Sequence, residues 1–209
     1  MNGKDLIDSG WQFRVYDRGI HVEKVPKGRF RALASILSSR PLLVSRPLKL
    51  KHKLDRLIND RKEGLRKVES GFFPDELVAD SKIENGNLVQ KKVTMVKNAI
   101  EEADAERGRE LIDMYIEHVK QSWKYGFSES SFNFTINHGI DEEDRMVLVD
   151  IGEANYSKSE VREQIENQKW LEQSIYKDFL PQNLQKYFKN KMNEELTAAK
   201  LEENWKENI

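Results

Sequence analysis

Residues 131–153 read SFNFTINHGIDEEDRMVLVDIGE, and two different patterns meet in them. Phe132, Phe134 and Ile136 alternate with Asn133, Thr135 and Asn137, the period-two spacing of a half-buried strand. Met146 to Val149 form a short apolar run that predicts a buried strand, and the acidic residues Asp141 to Asp144 predict the turn joining the two. Asp150 ends that run and is followed by Ile151-Gly152-Glu153, so a carboxylate stands at the mouth of a buried strand where glycine allows a sharp turn. A carboxylate there wants a cation. Magnesium held with nucleotide phosphates needs one or two protein oxygens, and Asn133 upstream offers a second one. On spacing alone, capping of the turn or pairing with a nearby lysine is the simpler account of Asp150.

Outward from this stretch, the first half of the chain reads mainly as strands. Trp11 to Tyr16 alternate in hydropathy, Asp17-Arg18-Gly19 supplies a turn, and Ile20 to Val25 predict a second strand ended by Pro26. Lys24 is in phase with Ile20 and Val22, so its ammonium must reach water or meet an anion. Lys27 to Lys49, with Pro41, Pro47 and several serines, predicts irregular structure. From Lys51 to Glu69, Leu54, Leu57, Ile58, Leu65 and Val68 recur at helical spacing despite Gly64. Asn85-Gly86 between two short strand-like runs predicts a hairpin.

The second half reads as helical around the 131–153 hairpin. Ala99 to Trp123 carry a long amphipathic pattern with an expected break near Gly108. Ser157 with Glu160 predicts a capping box opening a helix through Val161, Ile165 and Leu171. Leu184, Tyr187, Phe188 and Met192 predict another helix, and Thr197 a cap for the last.

Composition removes several chemistries. Among 209 residues there is no cysteine, which excludes disulfides, thiolate metal sites and cysteine nucleophiles, leaving nitrogen and oxygen ligands. His21, His52, His118 and His138 show no metal-ligand spacing, and no serine nucleophile is framed by glycines. No run is long and apolar enough for a membrane span, and the start lacks a secretory core, which predicts a cytoplasmic protein. The net charge of −1 conceals an asymmetry: residues 27–67 hold 13 Lys or Arg against three acids, a local net of +10. That block reads as a solvated face, or as a binding surface for a nucleic acid or an acidic protein partner.

The chain order of Lys24, Asn133 and Asp150 resembles the protein-kinase-like fold, particularly its small-molecule phosphotransferase branch of aminoglycoside and choline kinases. GWQFRVYD and IHVEKVPK are similar to its first strands, ENGNLVQKKVTMV to the hairpin before its hinge, YGFSESSFNFTINHGI to its catalytic loop, and VLVDIGE to its magnesium-binding Asp-Phe-Gly element with Ile151 replacing the aromatic. The resemblance implies an α+β, two-lobed protein-kinase-like fold. Its N-terminal lobe, residues 1–97, would be an antiparallel sheet with one helix, and residues 98–209 a reduced, mainly helical C-terminal lobe. It implies ATP and Mg2+ as cofactors in an interlobe cleft and phosphate transfer to an unidentified acceptor. Asp150 and Asn133 would hold magnesium, Lys24 would orient the phosphates, and Gly10 would belong to the loop covering them. The chain also departs from the family. The catalytic aspartate expected five residues before Asn133 is replaced by Ser128, with Glu129 next to it as the alternative base, and Asn137 competes with Asn133. The lysine-pairing acid is open among Asp55, Glu63 and Glu69. With the aspartate missing, a catalytically inactive pseudokinase or scaffold is the alternative.

Overall fold

The computed structural model describes residues 5–172 and 180–206, and the chain divides into two compact units, Met1–Lys92 and Val93–Ile209. The architecture is α+β: an N-terminal antiparallel sheet of five strands, then a mainly helical remainder.

In the first unit the strands are β1 (Asp5–Asp8), β2 (Phe13–Asp17), β3 (His21–Pro26), β4 (Lys82–Glu84) and β5 (Asn87–Lys91), in the spatial order β1-β2-β3-β5-β4. Trp11 and Ile20 fall just outside β2 and β3, and Ile20 is 74% exposed, so the expected strands begin one or two residues later. Register sorts the faces. Lys24 lies opposite Val15 on one side and Leu88 on the other, and Leu88 is fully buried. The lysine therefore belongs to the core-facing side, half-buried, as its phase with Val22 requires. The Asn85-Gly86 turn joins β4 to β5 with φ of 50° and 76°, the left-handed pair that a two-residue hairpin demands and that Asn-Gly supplies.

Two helices, not one, lie between β3 and β4: α1 (Arg29–Ser39) and α2 (Pro47–Glu69), with a 3-10 turn at Pro41–Ser45 between them. The expectation of irregular structure over residues 27–49 is corrected here. Pro41 and Pro47 are the first residues of their helical segments, where the missing N–H costs nothing, so they open helices instead of breaking them. Ala32, Ile36, Leu54, Leu57 and Ile58 form the core beneath α1 and α2, while Phe30, Leu42, Val44 and Leu48 stay exposed and blur the period.

In the second unit, α3 (Val96–Glu102) and α4 (Ala105–Trp123) replace the single helix expected from 99 to 123. The break falls at Ala103-Asp104, not at Gly108, because the Asp104 carboxylate accepts from the N–H groups of Glu106 and Arg107 at 3.0 and 2.8 Å. Gly108 sits inside α4, where a Cβ would come within 2.5 Å of Leu184. α6 (Lys158–Glu166) starts at Ser157, which accepts from the Glu160 N–H; it ends before Leu171, which lies in a 3-10 turn. α7 (Gln182–Glu195) and α8 (Ala198–Asn204, capped by Thr197) complete the helical core. That core gathers Leu111, Ile112, Tyr115, Trp123, Phe134, Trp170, Phe188 and Leu201. Small strands are woven through it: β6 (Thr94–Met95), β8 (His138–Ile140) and β9 (Met146–Leu148) form one sheet, and β7 (Ser128–Glu129) pairs with β10 (Ala154–Asn155).

The strand expected from Phe132 to Asn137 is instead one helical turn, α5 (Phe134–Asn137). Phe132 takes φ of 52°, which ends any extended run, and the Asn137 N–H donates to the Asn133 carbonyl at 3.1 Å. The aromatic spacing serves packing: Phe134 stacks on Phe188 at 5.1 Å and lies 5.0 Å from Tyr115, while Ile136 is 47% exposed. In the hairpin that follows, the turn and the second strand match expectation while the first strand is His138–Ile140 instead of Phe132–Asn137, and Asp141 accepts from the Glu143 and Arg145 N–H groups to shape the turn.

Candidate functional site

Glu129 organises the 128–153 region. It is 3% exposed at the end of β7, pinned opposite Ala154. Its Oε1 accepts from the Ser131 N–H at 2.9 Å, the Ser131 hydroxyl at 2.5 Å and Asn137 Nδ2 at 2.7 Å, and its Oε2 accepts from the Asn133 N–H at 2.8 Å. Burial raises its carboxyl above the usual range, and these donors pull the other way. A carboxylate so placed folds the loop around itself. Ser128 beside it is fully buried.

Asn137 links that loop to Asp150. While its side-chain amide donates to Glu129, its carbonyl accepts from the N–H groups of Val149 and Asp150, at 2.8 and 3.4 Å. Asp150 is half-buried where the backbone leaves β9 for a 3-10 turn at Ile151–Glu153, and its carbonyl accepts from the Glu153 N–H at 3.0 Å. A second strap closes the turn, because the Ser130 N–H donates to the Glu153 carbonyl at 2.7 Å and the Ser130 hydroxyl to the Glu153 carboxylate at 2.8 Å. Asn133 is 9% exposed, and among the described residues nothing bonds to its buried Oδ1. Glu129, Asn133, Asn137 and Asp150 thus share one hydrogen-bonded loop cluster.

Asn133 and Asn137 are both held by Glu129, the first through its main chain and the second through its side chain, and Asn137 is the one bonded to the Asp150 peptide. The sequence offered Asn137 only as a competitor, because the stretch from Asn133 to Asp150 is longer than the family's usual spacing. The roles of Ser130 and Ser131 were not legible at all; a serine cluster ahead of an asparagine is the one trace they leave.

Lys24 and Gly10 lie in the first unit. Gly10 is exposed in the β1–β2 loop, and its carbonyl accepts from Lys27 Nζ at 2.5 Å. Lys27, 5% exposed, also donates to Ser35 Oγ at 2.8 Å, and burial lowers the pKa of its ammonium. Arg61, also buried, donates to the Gln12 and Lys27 carbonyls at 3.0 and 2.7 Å, so two buried cations brace this loop. Of the three acids on α2 offered as partners for the lysine, Asp55 pairs with Arg29 at 2.6 Å, and Glu63 and Glu69 are exposed. A cavity of about 280 Å³ in this unit is lined by Arg18, His21, Glu23, Lys82, Glu84, Asn85 and Val89, none of them predicted from sequence.

Among the described residues no three His, Cys, Asp or Glu side chains gather where they could hold a metal by themselves. Asp150, Asn137 and the orphaned Asn133 oxygen are instead hard oxygen donors of the sort magnesium takes in ones and twos beside phosphate. No helix of the described residues is long and apolar enough to cross a membrane.

No family model matches this chain, and no curated protein matches it. Among solved structures, the complex structure of Rv3197-erythromycin from Mycobacterium tuberculosis is similar to it with a TM-score of 0.48 and 14% identity. The likeness covers 78% of this chain and 51% of that one, so the chain spans about half that protein's length.

Proposed function

We propose that this chain is a kinase-like protein that binds ATP with magnesium. What carries the reading is the loop cluster of the second unit: Glu129 holds Asn133 and Asn137, and Asn137 holds the peptide of Asp150. Residues far apart in sequence are thereby tied to one turn after a buried strand.

In this reading Asp150 presents a carboxylate oxygen to the metal, and Asn137 or Asn133 adds an amide oxygen. Bound magnesium would neutralise charge on the nucleotide phosphates. Lys24, on the third strand, has the position in chain order of the lysine that orients phosphates in protein kinases. Glu129 is a positioning residue: removing its charge disorders the asparagines before it changes any proton transfer.

A second reading, a catalytically inactive nucleotide-binding protein, is favoured by the burial of Ser128 at 0% and Glu129 at 3%, which leaves no exposed base at the start of the loop. Magnesium-dependent ATP turnover by wild type that Asp150→Ala abolishes would dispose of it.

Thermal unfolding tests the shared premise. Saturating ATP with magnesium is expected to raise the midpoint by roughly 5 °C, chelation to reverse this, and Asp150→Asn to remove it. An unchanged midpoint in wild type sinks both readings.

A further inference from the structure

From Lys24 to Leu54 the chain contains nine Lys or Arg and no acid. The structure shows which of these reach the surface. Lys27 is buried and Arg29 is paired with Asp55, whereas Arg31, Arg40, Arg46, Lys49 and Lys51 are exposed, and among the described residues no carboxylate pairs with these five.

Large apolar side chains stand out from the same three consecutive elements. Phe30 on α1 is 87% exposed, Leu42 and Val44 on the 3-10 turn 84% and 64%, and Leu48 at the start of α2 72%. They are not failed core residues. Ala32 and Ile36, with Leu54, Leu57 and Ile58, already fill the space between the helices, and Leu33, Leu43 and Leu50 pack inward against them. Leu42 and Leu43 are neighbours pointing to opposite environments. Trp11 ties the segment together: its Nε1 donates to Ser39 at 2.9 Å, and Arg40 and Lys53 lie over its ring at 5.1 and 4.4 Å.

We propose that α1, the 3-10 turn and the first turns of α2 form a docking surface for a bilayer containing anionic lipids. Charge complementarity selects the occupant class, since five exposed cations with which no carboxylate pairs among the described residues favour anionic headgroups or phosphates. The aliphatic side chains select lipid among anionic partners. Leu42, Val44 and Leu48 gain nothing from a nucleic-acid backbone but gain acyl contact at a headgroup boundary, where amphipathic segments with basic flanks lie in the interface. This attachment is peripheral, and it is independent of the nucleotide reading.

Co-sedimentation of the whole chain with vesicles tests it. Wild type is expected to pellet with vesicles of phosphatidylcholine containing about one-third phosphatidylserine, and to stay in the supernatant with phosphatidylcholine alone. Removing two cations in Arg46→Gln/Lys49→Gln is expected to lower the partition coefficient about 30-fold. Removing two apolar side chains in Leu42→Ser/Leu48→Ser is expected to lower it tenfold or more. All four positions are exposed, so circular dichroism should show wild-type folding in each variant. No binding to the phosphatidylserine vesicles by wild type overturns the proposal, as does undiminished binding by the leucine variant. Binding of a short DNA duplex by wild type and leucine variant alike, without vesicle binding, would assign the surface to nucleic acid instead.

Discussion

Glu129 shows how one side chain can carry a loop. Replacing it with alanine leaves four donors without their acceptor, two of them buried, from Asn133 and Asn137, and two part-buried, from Ser131; each buried loss costs about 1–3 kcal/mol. We expect Glu129→Ala to lower stability by about 3–5 kcal/mol in urea unfolding and Glu129→Gln, which keeps one acceptor oxygen, to cost clearly less. Equal, negligible losses would mean that the carboxylate organises nothing. The residue was visible in the sequence only as a neighbour of Ser128 in the wrong register for a catalytic acid. Its structural task depends on donors two, four and eight residues away, which periodicity does not reveal. The place of Asp150, by contrast, was legible, because an apolar run ending in Asp-x-Gly states both the buried strand and the turn after it.

Among the elements, those fixed by local chemistry were readable. The Asn85-Gly86 hairpin, α2, the Ser157 and Thr197 caps and the Asp141–Asp144 turn each follow from the residues within them. Two elements were misread because distant packing decides them. The aromatics of 132–134 imitate a strand, yet Phe134 is fixed by Phe188 and Tyr115 from other helices. The exposed Phe30, Leu42 and Leu48 hide the helical period of 29–49. Gly139 illustrates tight sheet packing: a Cβ there would meet Val93 Cγ2 at 2.3 Å and its Cβ at 3.1 Å, and a β-branched side chain has little freedom to yield. Gly139→Ala should destabilise the β6–β8 pair by about 1–3 kcal/mol, read as a lowered urea midpoint. Asp104→Ala should cost about 1 kcal/mol through loss of the α4 cap. An unchanged midpoint in either variant would contradict the packing or the cap described.

At the scale of the whole molecule, the second unit stores a pH dependence in its core. His118 on α4 and His138 on β8 are buried with ring centroids 5.0 Å apart, edge-on, with Tyr115 5.0 Å from His138 and the Ser122 hydroxyl 3.5 Å from His118. Burial pushes the His118 pKa down to about 4, against a hydrogen bond with the Met146 backbone, and burial with the neighbouring His118 takes His138 well below its ordinary value. The unfolded chain therefore takes up protons near pH 6.5 that the native state refuses, so this stability is complete above that pH and is lost as pH falls towards 4. For His118 alone the loss is about 3 kcal/mol. Urea midpoints should fall between pH 6.5 and 5, less so in His118→Asn, and a flat profile in wild type would be inconsistent with a neutral buried pair. The central claim concerns the carboxylate after β9, and isothermal calorimetry of ATP addresses it most directly. The account predicts saturable binding that requires magnesium and weakens at least tenfold in Asp150→Ala; absence of binding in wild type, or equal affinity in the variant, would contradict it.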